Sequence, residues 1–393
     1  MKKLFILGAS VLQLPAIIKA KEMGLYIGVA DFNPKAVGIP YANEFFEVST
    51  IDEKGIYQAA KKFKADGIMT LATDMPMRAV AYSTSKLGLV GISYETAIKA
   101  TDKGKMIEAF EAAGVEHPWF YILNDIKALD KIVSRIQYPC ISKPLDNAGS
   151  RGVTLIQNHR QLKDAVVYSS SSSREGGVII EEYLHGNEVS VEIMVVDGIV
   201  HVLQVTDKLT TGAPHFVEMG HSQPSRLGKK NVVAISKLAI RAVKAVGIKN
   251  GPAHVEIMLT ENGPKMIELG ARLGGDCITT HLVPLSTGID MVKATIQIAL
   301  DEKPDIKPKY EKGAAIRFLG APSGKITAFT GVEEARAMEG VVDVTLTKQV
   351  GEHSGNICSS TDRLGYVVAQ ADTAEDAVKI CRDSLEKISV DIN

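Results

Sequence analysis

The chain has 393 residues with 45 basic and 46 acidic side chains, so it is long enough for two or three domains and lacks the basic excess of a nucleic-acid-binding protein. Four cysteines without a CxxC pair argue against a zinc site or a disulfide framework and fit a reducing cytoplasm. The apolar start MKKLFILGAS is soon interrupted, unlike a signal peptide, and no run reaches the roughly 18 apolar residues that span a bilayer. We therefore expect a cytoplasmic protein that binds neither nucleic acid nor membrane.

Apolar strands alternate with helical segments along the first 95 or so residues. Such alternation is typical of a parallel, doubly wound sheet. The predicted fold class is therefore α/β, with α+β character in the central part. The predicted strands of this first domain lie at residues 3–10, 26–31, 45–49, 67–74 and 89–93.

From about Ala97 the pattern changes to a helix-rich connector followed by hairpins. Strands are predicted on both sides of the loop DNAGSRG (146–152), and the serine tract 169–177 is predicted to be a mobile surface loop. Residues 230–247 have the apolar spacing of an amphipathic helix. PAHVEIML and KMIELGA then form a predicted hairpin around the turn TENG. A proline-containing linker at about 304–308 precedes a last, mixed strand–helix portion.

The predicted hairpin carries one acid on each arm, Glu256 and Glu268, so both carboxylates can project from one face of the sheet. Two adjacent carboxylates repel each other unless a divalent cation neutralises them. Mg²⁺ is typically held by one or two carboxylates plus substrate phosphates, so the pair predicts a metal site. Two acids on a solvated face of the sheet are the alternative.

Two further segments have the residue types that bind a nucleotide. Lys143 ends a predicted strand before a glycine-containing loop, so an ammonium and backbone N–H groups can meet phosphate oxygens. VIIEEYLHGNE (178–188) runs from a strand into a polar link that can meet an adenine edge, with Glu188 placed for ribose hydroxyls. Taken alone, the first is more simply a hairpin turn, and the second a strand with exposed acids. The first turn, GASVLQ, lacks the G-x-G-x-x-G spacing of nicotinamide-binding domains.

In their order and spacing, these segments resemble the ATP-grasp superfamily over essentially the whole chain, and its L-amino-acid ligases in particular. The resemblance implies a pre-ATP-grasp α/β domain (1–96), an ATP-grasp domain (97–308) with its lid at about 130–190, and a C-terminal α/β domain (309–393). It implies an ADP-forming carboxylate–amine ligase that uses ATP and Mg²⁺, for which Mn²⁺ can substitute. By analogy with relatives, it also suggests a homodimer acting on small-molecule substrates.

The same resemblance assigns roles by position. Lys103 and Lys143 match the two lysines that grip ATP phosphates. Glu256 and Glu268 match the magnesium ligands, and Arg272 matches the arginine that steadies the acyl phosphate or the tetrahedral intermediate. The other expected ATP contacts are Gly149, Ser150, Glu181, Glu182, Leu184 and Glu188.

One position departs from the family pattern. Many members have Glu-x-Asn before the arginine, and the Asn completes a second metal site. Here ELGAR places Gly270 at that position. Because glycine has no side-chain ligand, we expect the second Mg²⁺ to be held more weakly or by water.

Residues 206–227 form the expected substrate-binding segment, with a polar surface loop as the alternative. Glu218 and His221, three apart in FVEMGH, resemble the acid and histidine that meet the amino-acid substrates in L-amino-acid ligases. Lys208 matches a further phosphate-contacting lysine of related ligases. We therefore expect Arg272, Lys208 and His221 in catalysis, and substrate contacts from Glu218, His221 and Arg272.

Asp74, at the end of a predicted strand, either approaches the substrate amine or caps the following helix. His353, Asp362 and Arg363 in the C-terminal portion are expected to be structural. Three other functions stay open: a purine-pathway ligase or carboxylase of the same fold, a non-catalytic ATP-binding regulatory protein favoured only by Gly270, and a nicotinamide dehydrogenase, which the missing glycine pattern disfavours.

Overall fold

In the computed structural model, which describes residues 1–147, 149 and 151–393, the chain begins with a parallel sheet of order β3-β2-β1-β4. Helices cover both faces of this sheet, so successive residues of β1 are buried on opposite sides. Leu4 and Ile6 pack with α1, whereas Phe5 packs with α2 and α3. The elements are β1 (Lys3–Leu7), α1 (Leu14–Glu22), β2 (Tyr26–Asp31), β3 (Glu44–Glu47), α2 (Glu53–Phe63), β4 (Gly67–Met69) and α3 (Met77–Leu87).

The predicted doubly wound parallel sheet is confirmed, but its strands are shorter than predicted and the one predicted at 89–93 is wrong. Gly8, with φ of 92°, ends β1, and β4 ends at Met69. Residues 89–93 connect two helices: Gly88 ends α3 in the left-handed conformation, and the Ser93 side chain accepts the Thr96 N–H at the start of α4. The connector helices are α4 (Tyr94–Thr101) and α5 (Lys103–Ala112).

A small antiparallel sheet of order β5-β8-β6-β7 follows, with α6 against one face. The prediction of a loop at 169–177 is wrong at its start, because α6 continues through Ser171. Ser169 is fully buried and donates to the Gly152 carbonyl at 2.8 Å, so the small polar side chain allows the helix to pack closely. The elements are β5 (Phe120–Leu123), β6 (Cys140–Pro144), β7 (Thr154–Ile156), α6 (His159–Ser171) and β8 (Val178–Glu182).

The largest sheet is antiparallel, with order β13-β12-β9-β10-β11-β14-β18-β16. The helix predicted at 230–247 is observed as α7, whose apolar side packs on this sheet, and the predicted hairpin is β12–β13. The sheet continues across residue 308, since β11 pairs with β14. The elements are β9 (Asn187–Val196), β10 (Ile199–Thr210), β11 (Glu218–Gln223), α7 (Lys229–Val246), β12 (Gly251–Thr260), β13 (Gly263–Gly270), α8 (Val283–Thr287) and α9 (Met291–Ala299).

The C-terminal residues add strands to the large sheet and form a small sheet of order β17-β15-β19 beside it. Helix α11 packs its apolar side on β14 and β18. No helix in the described part of the chain is long and apolar enough to cross a membrane. The elements are β14 (Gly313–Leu319), β15 (Gly324–Thr330), α10 (Val332–Arg336), β16 (Val341–Leu346), β17 (His353–Ser354), β18 (Gly365–Ala371), α11 (Ala374–Leu385) and β19 (Ser389–Ile392).

Candidate active site

A cavity of about 630 Å³ lies where the N-terminal, small and large sheets meet, and we call it the central cavity. Every predicted site residue that the structure describes lines it, although these residues come from distant parts of the chain. Ser150 lies outside the described residues. The lining includes Lys103, Lys143, Gly149, Glu181, Glu182, Leu184, Glu188, Lys208, Glu218, His221, Glu256, Glu268 and Arg272.

The two hairpin acids face each other at the cavity wall. Glu256 of β12 and Glu268 of β13 are direct partners in the strand register. Burial tends to raise the pKa of each carboxyl, but the lysines beside them outweigh burial and hold both pKa values below the usual range. Both groups are therefore ionised at neutral pH, as a cation site requires.

Each hairpin acid contacts a lysine. Lys103 is the first residue of α5, and its Nζ lies 3.1 Å from a carboxylate oxygen of Glu268. Burial lowers the pKa of Lys103, but Glu268 more than offsets it, so the lysine stays charged. On the small sheet, the Lys143 Nζ lies 2.5 Å from Glu181 on the neighbouring strand β8.

Lys208 meets three carboxylates at once and is only 4% exposed. Its Nζ contacts Glu188 and lies 3.0 Å from Glu256 and 3.6 Å from Glu218. Burial lowers the pKa of Lys208, yet the three acids raise it well above its ordinary value. The pKa of Glu188 is raised by burial and by repulsion from Glu256. The single ammonium of Lys208 lowers it, but not enough to offset both effects.

A buried histidine, His254, lies between Glu256 and a second acid, Glu192. The His254 Nδ1 lies 3.0 Å from the fully buried Glu192, and its Nε2 lies 3.4 Å from Glu256. Ser190 also donates to Glu192. Burial lowers the pKa of His254, but Glu192 and Glu256 raise it to about 9, so the ring is an imidazolium between two carboxylates. No local sequence pattern indicates this pair, because its members are 62 residues apart.

Arg272 forms a fork with Asp74 from the N-terminal domain. Its Nε and one terminal nitrogen each lie 3.0 Å from an Asp74 oxygen. The predicted capping role of Asp74 is wrong, because Pro76 occupies the N-cap of α3 and no side chain caps it. Burial lowers the pKa of Arg272, but the nearby carboxylates raise it above its ordinary value, so this side chain stays charged.

A second arginine forms a fork with Asp276, a residue that lines the cavity. Arg363 binds both oxygens of Asp276 at 2.7 and 2.8 Å, and its guanidinium lies 3.7 Å from the centre of the Phe318 ring. His221 is 2% exposed, lies 3.5 Å from Asp276 and has no hydrogen-bond partner on either ring nitrogen. Burial would raise the pKa of Asp276, but Arg363 and His221 hold it below the usual range.

Aromatic and apolar side chains form another part of the cavity wall. Strand β8 ends at Glu182 and β9 begins at Asn187, so the predicted adenine link is the short connection between them. Tyr183 and His185 in this link are in edge contact with ring centres 4.6 Å apart, and Phe216 lies near Tyr183. The link therefore places aromatic rings, inclined steeply to one another, beside its backbone groups.

The donor set of the cavity fits a Mg²⁺–nucleotide rather than a metal held by protein alone. Among residues 1–147, 149 and 151–393, no cluster of three or more acidic, histidine or cysteine side chains could hold an ion. Two facing carboxylates surrounded by lysines suit a cation whose other ligands are phosphate oxygens. The arrangement can bind phosphates, neutralise charge and hold two reacting groups together.

Comparison with known proteins agrees with this geometry. The family model "ATP-grasp domain" matches residues 136–280, and "L-amino acid ligase C-terminal domain 2" matches residues 317–393. The chain carries an ATP-grasp domain. The predicted resemblance to the ATP-grasp superfamily and its L-amino-acid ligases is confirmed, and the second match lies in the C-terminal part.

Several relatives of this chain are named as ligases. Alanine–anticapsin ligase of Bacillus subtilis is 27% identical over 307 residues, covering 72% of this chain and 64% of that protein, so the match spans slightly less than two thirds of the relative. An L-amino acid ligase structure from Bacillus licheniformis has a TM-score of 0.86 at 24% identity, covering 100% of this chain and 99% of that one. A phosphoribosylglycinamide synthetase from Anaerococcus prevotii has a TM-score of 0.81 at 23% identity, covering 100% of both chains. The predicted class, an ATP-grasp carboxylate–amine ligase, is the class of these relatives.

Proposed function

We propose that the protein is an ATP-dependent, ADP-forming ligase that activates the carboxylate of an amino acid as an acyl phosphate and joins it to an amine. The observation that carries the proposal is the central cavity, where two facing glutamates, three lysines and Arg272 converge. The match of residues 317–393 to an L-amino acid ligase domain supports amino acids as substrates.

The lysines act on the nucleotide. Lys103 and Lys143 each contact one carboxylate, and both line the space that phosphates would enter. Phosphoryl transfer depends mainly on positioning and charge neutralisation, which ammonium groups supply. Glu256 and Glu268 would hold Mg²⁺, which supplies neutralisation of the phosphate charge; Mn²⁺ is expected to substitute. The link at 183–186, with Leu184, receives the adenine, and Glu188 the ribose.

Arg272 acts on the carboxylate that is activated. Its fork with Asp74, plus one bond to the Leu273 carbonyl, engages three of its guanidinium donors. A guanidinium has five N–H donors, so about two remain for an acyl phosphate or a tetrahedral intermediate. A carboxylate is a poor electrophile, and conversion to the mixed anhydride allows an amine to attack with loss of phosphate.

The amine enters beside Glu218 and His221. Glu218 gives a negative charge for an ammonium group, and His221, whose Nε2 lies 3.5 Å from Asp276, belongs to the wall of the same cavity. A histidine oriented by a carboxylate is a typical general base, so His221 is the candidate to take a proton from the attacking amine. Acyl phosphates hydrolyse in water, so the small sheet and its loop are proposed to close over the cavity.

The test is release of ADP and phosphate across a panel of amino-acid pairs, with mass spectrometry of the products. Stimulation by particular pairs, with a new peptide bond, is the expected result. No stimulation by any pair would contradict the dipeptide proposal. We further propose a cytoplasmic homodimer, which size-exclusion chromatography with light scattering would test.

A purine-pathway ligase is the second candidate, because the fold is also that of a phosphoribosylglycinamide synthetase. Turnover that requires a ribose phosphate or bicarbonate would favour it. The ligase-type C-terminal match makes amino acids the first choice.

A further inference from the structure

We propose that Asp74 is a positioning residue for Arg272, and that residue 270 is a glycine because the Asp74–Arg272 ion pair occupies the space a side chain there would need. The proposal rests on the proposed function for the catalytic role of Arg272. The steric relation between Gly270 and the ion pair depends only on interatomic distances and not on the proposed function.

The ion pair has the geometry that fixes a guanidinium in orientation. Two nitrogens of Arg272 each lie 3.0 Å from a different oxygen of Asp74, so the contact is a fork rather than a point. The two residues are 198 positions apart, and Asp74 comes from the N-terminal sheet. Both line the central cavity and are largely buried, so water does not compete strongly with the contact.

Gly270 lies against this pair. A Cβ built on Gly270 would lie 2.7 Å from an Asp74 oxygen and 3.0 Å from the Arg272 Nε. The backbone φ of Gly270 is outside the left-handed region, so the chain conformation itself does not require glycine. Glycine is required instead because the Asp74 and Arg272 side chains fill the space that a Cβ would occupy. The asparagine that many ATP-grasp proteins have here would need still more room than a Cβ.

The contacting atoms are the ends of two side chains rather than backbone. A small side chain at 270 can therefore be accommodated if Asp74 and Arg272 move apart, with little disturbance of the strand. This predicts an unusual combination: turnover is reduced because the guanidinium is displaced, while thermal stability is nearly preserved. A displacement of about 1 Å can reduce turnover about 100-fold.

The experiment compares Gly270→Ala, Asp74→Asn, Asp74→Ala and the double variant Asp74→Ala/Gly270→Ala in steady-state kinetics and thermal unfolding. Gly355→Ala is the matched control, because Gly355 has normal φ and nothing within 4 Å of its added Cβ. Asp74→Asn keeps the shape but loses the charge, so kcat should fall about 100-fold while the KM for ATP stays unchanged. Gly270→Ala should lower kcat about 10-fold.

The double variant decides the proposal. Without the Asp74 carboxylate the 2.7 Å contact is gone, and Arg272 is no longer held against the methyl group at 270, so kcat should equal that of Asp74→Ala alone. Multiplied losses, or full kcat in Asp74→Asn, would overturn the inference. If the unmodified protein turns over no substrate, the proposed function fails instead, and crystal structures of the unmodified protein and of Gly270→Ala are compared. Retention of both 3.0 Å contacts between Asp74 and Arg272 in Gly270→Ala would then reject the steric relation, whereas separation of the two side chains would support it.

Discussion

Lysines neutralise one group of acids around the central cavity, whereas arginines neutralise another. We call these groups the lysine end (Lys103, Lys143 and Lys208) and the arginine end (Arg272, and Arg363, which reaches the cavity through Asp276). A lysine is a compact point charge that can change partner, but a guanidinium binds a carboxylate through two parallel bonds with fixed orientation. The lysine end is thus suited to exchange glutamates for phosphates and metal, and the arginine end to hold its geometry throughout the reaction.

The largest expected effect is at the lysine end. Glu268→Ala removes a proposed metal ligand, so ADP formation should fall roughly 1,000-fold while the protein stays folded. Coupled-enzyme detection of ADP and circular dichroism would measure both. Glu261→Ala, at the exposed turn of the same hairpin, is the control. Full activity of Glu268→Ala would remove the metal assignment.

Lys208→Met tests whether the lysine competes with metal for the acids. It leaves Glu188, Glu218 and Glu256 facing one another without a cation, so the free energy of unfolding should fall by about 3–5 kcal/mol. Mg²⁺ without ATP should then raise the Tm of the variant more than that of the unmodified protein. Lys229→Met, on an exposed helix position, is the control. An equal Mg²⁺ effect in both proteins would show that the lysine does not occupy the cation site.

His254 makes the lysine end sensitive to pH. The pKa of His254 is raised from 6.5 to about 9, so its contribution to stability is fully present below pH 6.5 and is lost as pH rises through about 9. A shift of this size corresponds to on the order of 3 kcal/mol. Urea unfolding from pH 6 to pH 9.5 should show this decline, which His254→Gln should abolish. The same decline in the variant would assign it to other groups.

The smallest effect is expected from Arg363→Lys at the arginine end. Lysine cannot reproduce the fork to Asp276, so Asp276 should lose its fixed orientation beside His221. We expect kcat/KM for the amine substrate to fall about 10-fold, with the KM for ATP unchanged. Arg336→Lys, in an exposed ion pair with Glu333, is the control. A change in the KM for ATP alone would contradict the division of the cavity into two ends.

Local patterns predicted the parts of the molecule that depend on nearby residues. The β12–β13 hairpin, α7 and the parallel sheet follow from apolar spacing and turn residues. The strand predicted at 89–93 was wrong because the caps formed by Gly88 and Ser93 determine the conformation of that segment. The helix that reaches Ser171 was missed because serine has only moderate helix propensity and the tract lacks apolar spacing.

The candidate site was predictable where the resemblance supplied positions, and not where it depends on tertiary pairing. Asp276 and Arg363 are 87 residues apart, and nothing in either local sequence indicates the other. The same holds for Glu192 and His254. For Asp74, the sequence indicated only a strand end. Its partner, Arg272, is 198 residues away and meets it only through the packing of the N-terminal sheet beside the end of β13.

The continuous large sheet restricts how this protein can be recombined with its relatives. Strand β11, which carries Glu218 and His221, precedes the predicted linker in the chain. It pairs with β14, which follows that linker. In a chimaera joined at that linker, the strand paired with β11 would come from a different protein. If the two strands fitted poorly, the unpaired backbone N–H and C=O groups of β11 could pair with another molecule and cause aggregation. An exchange that transfers residues 206–227 together with the C-terminal part keeps the β11–β14 seam intact, and is therefore the better unit for altering specificity.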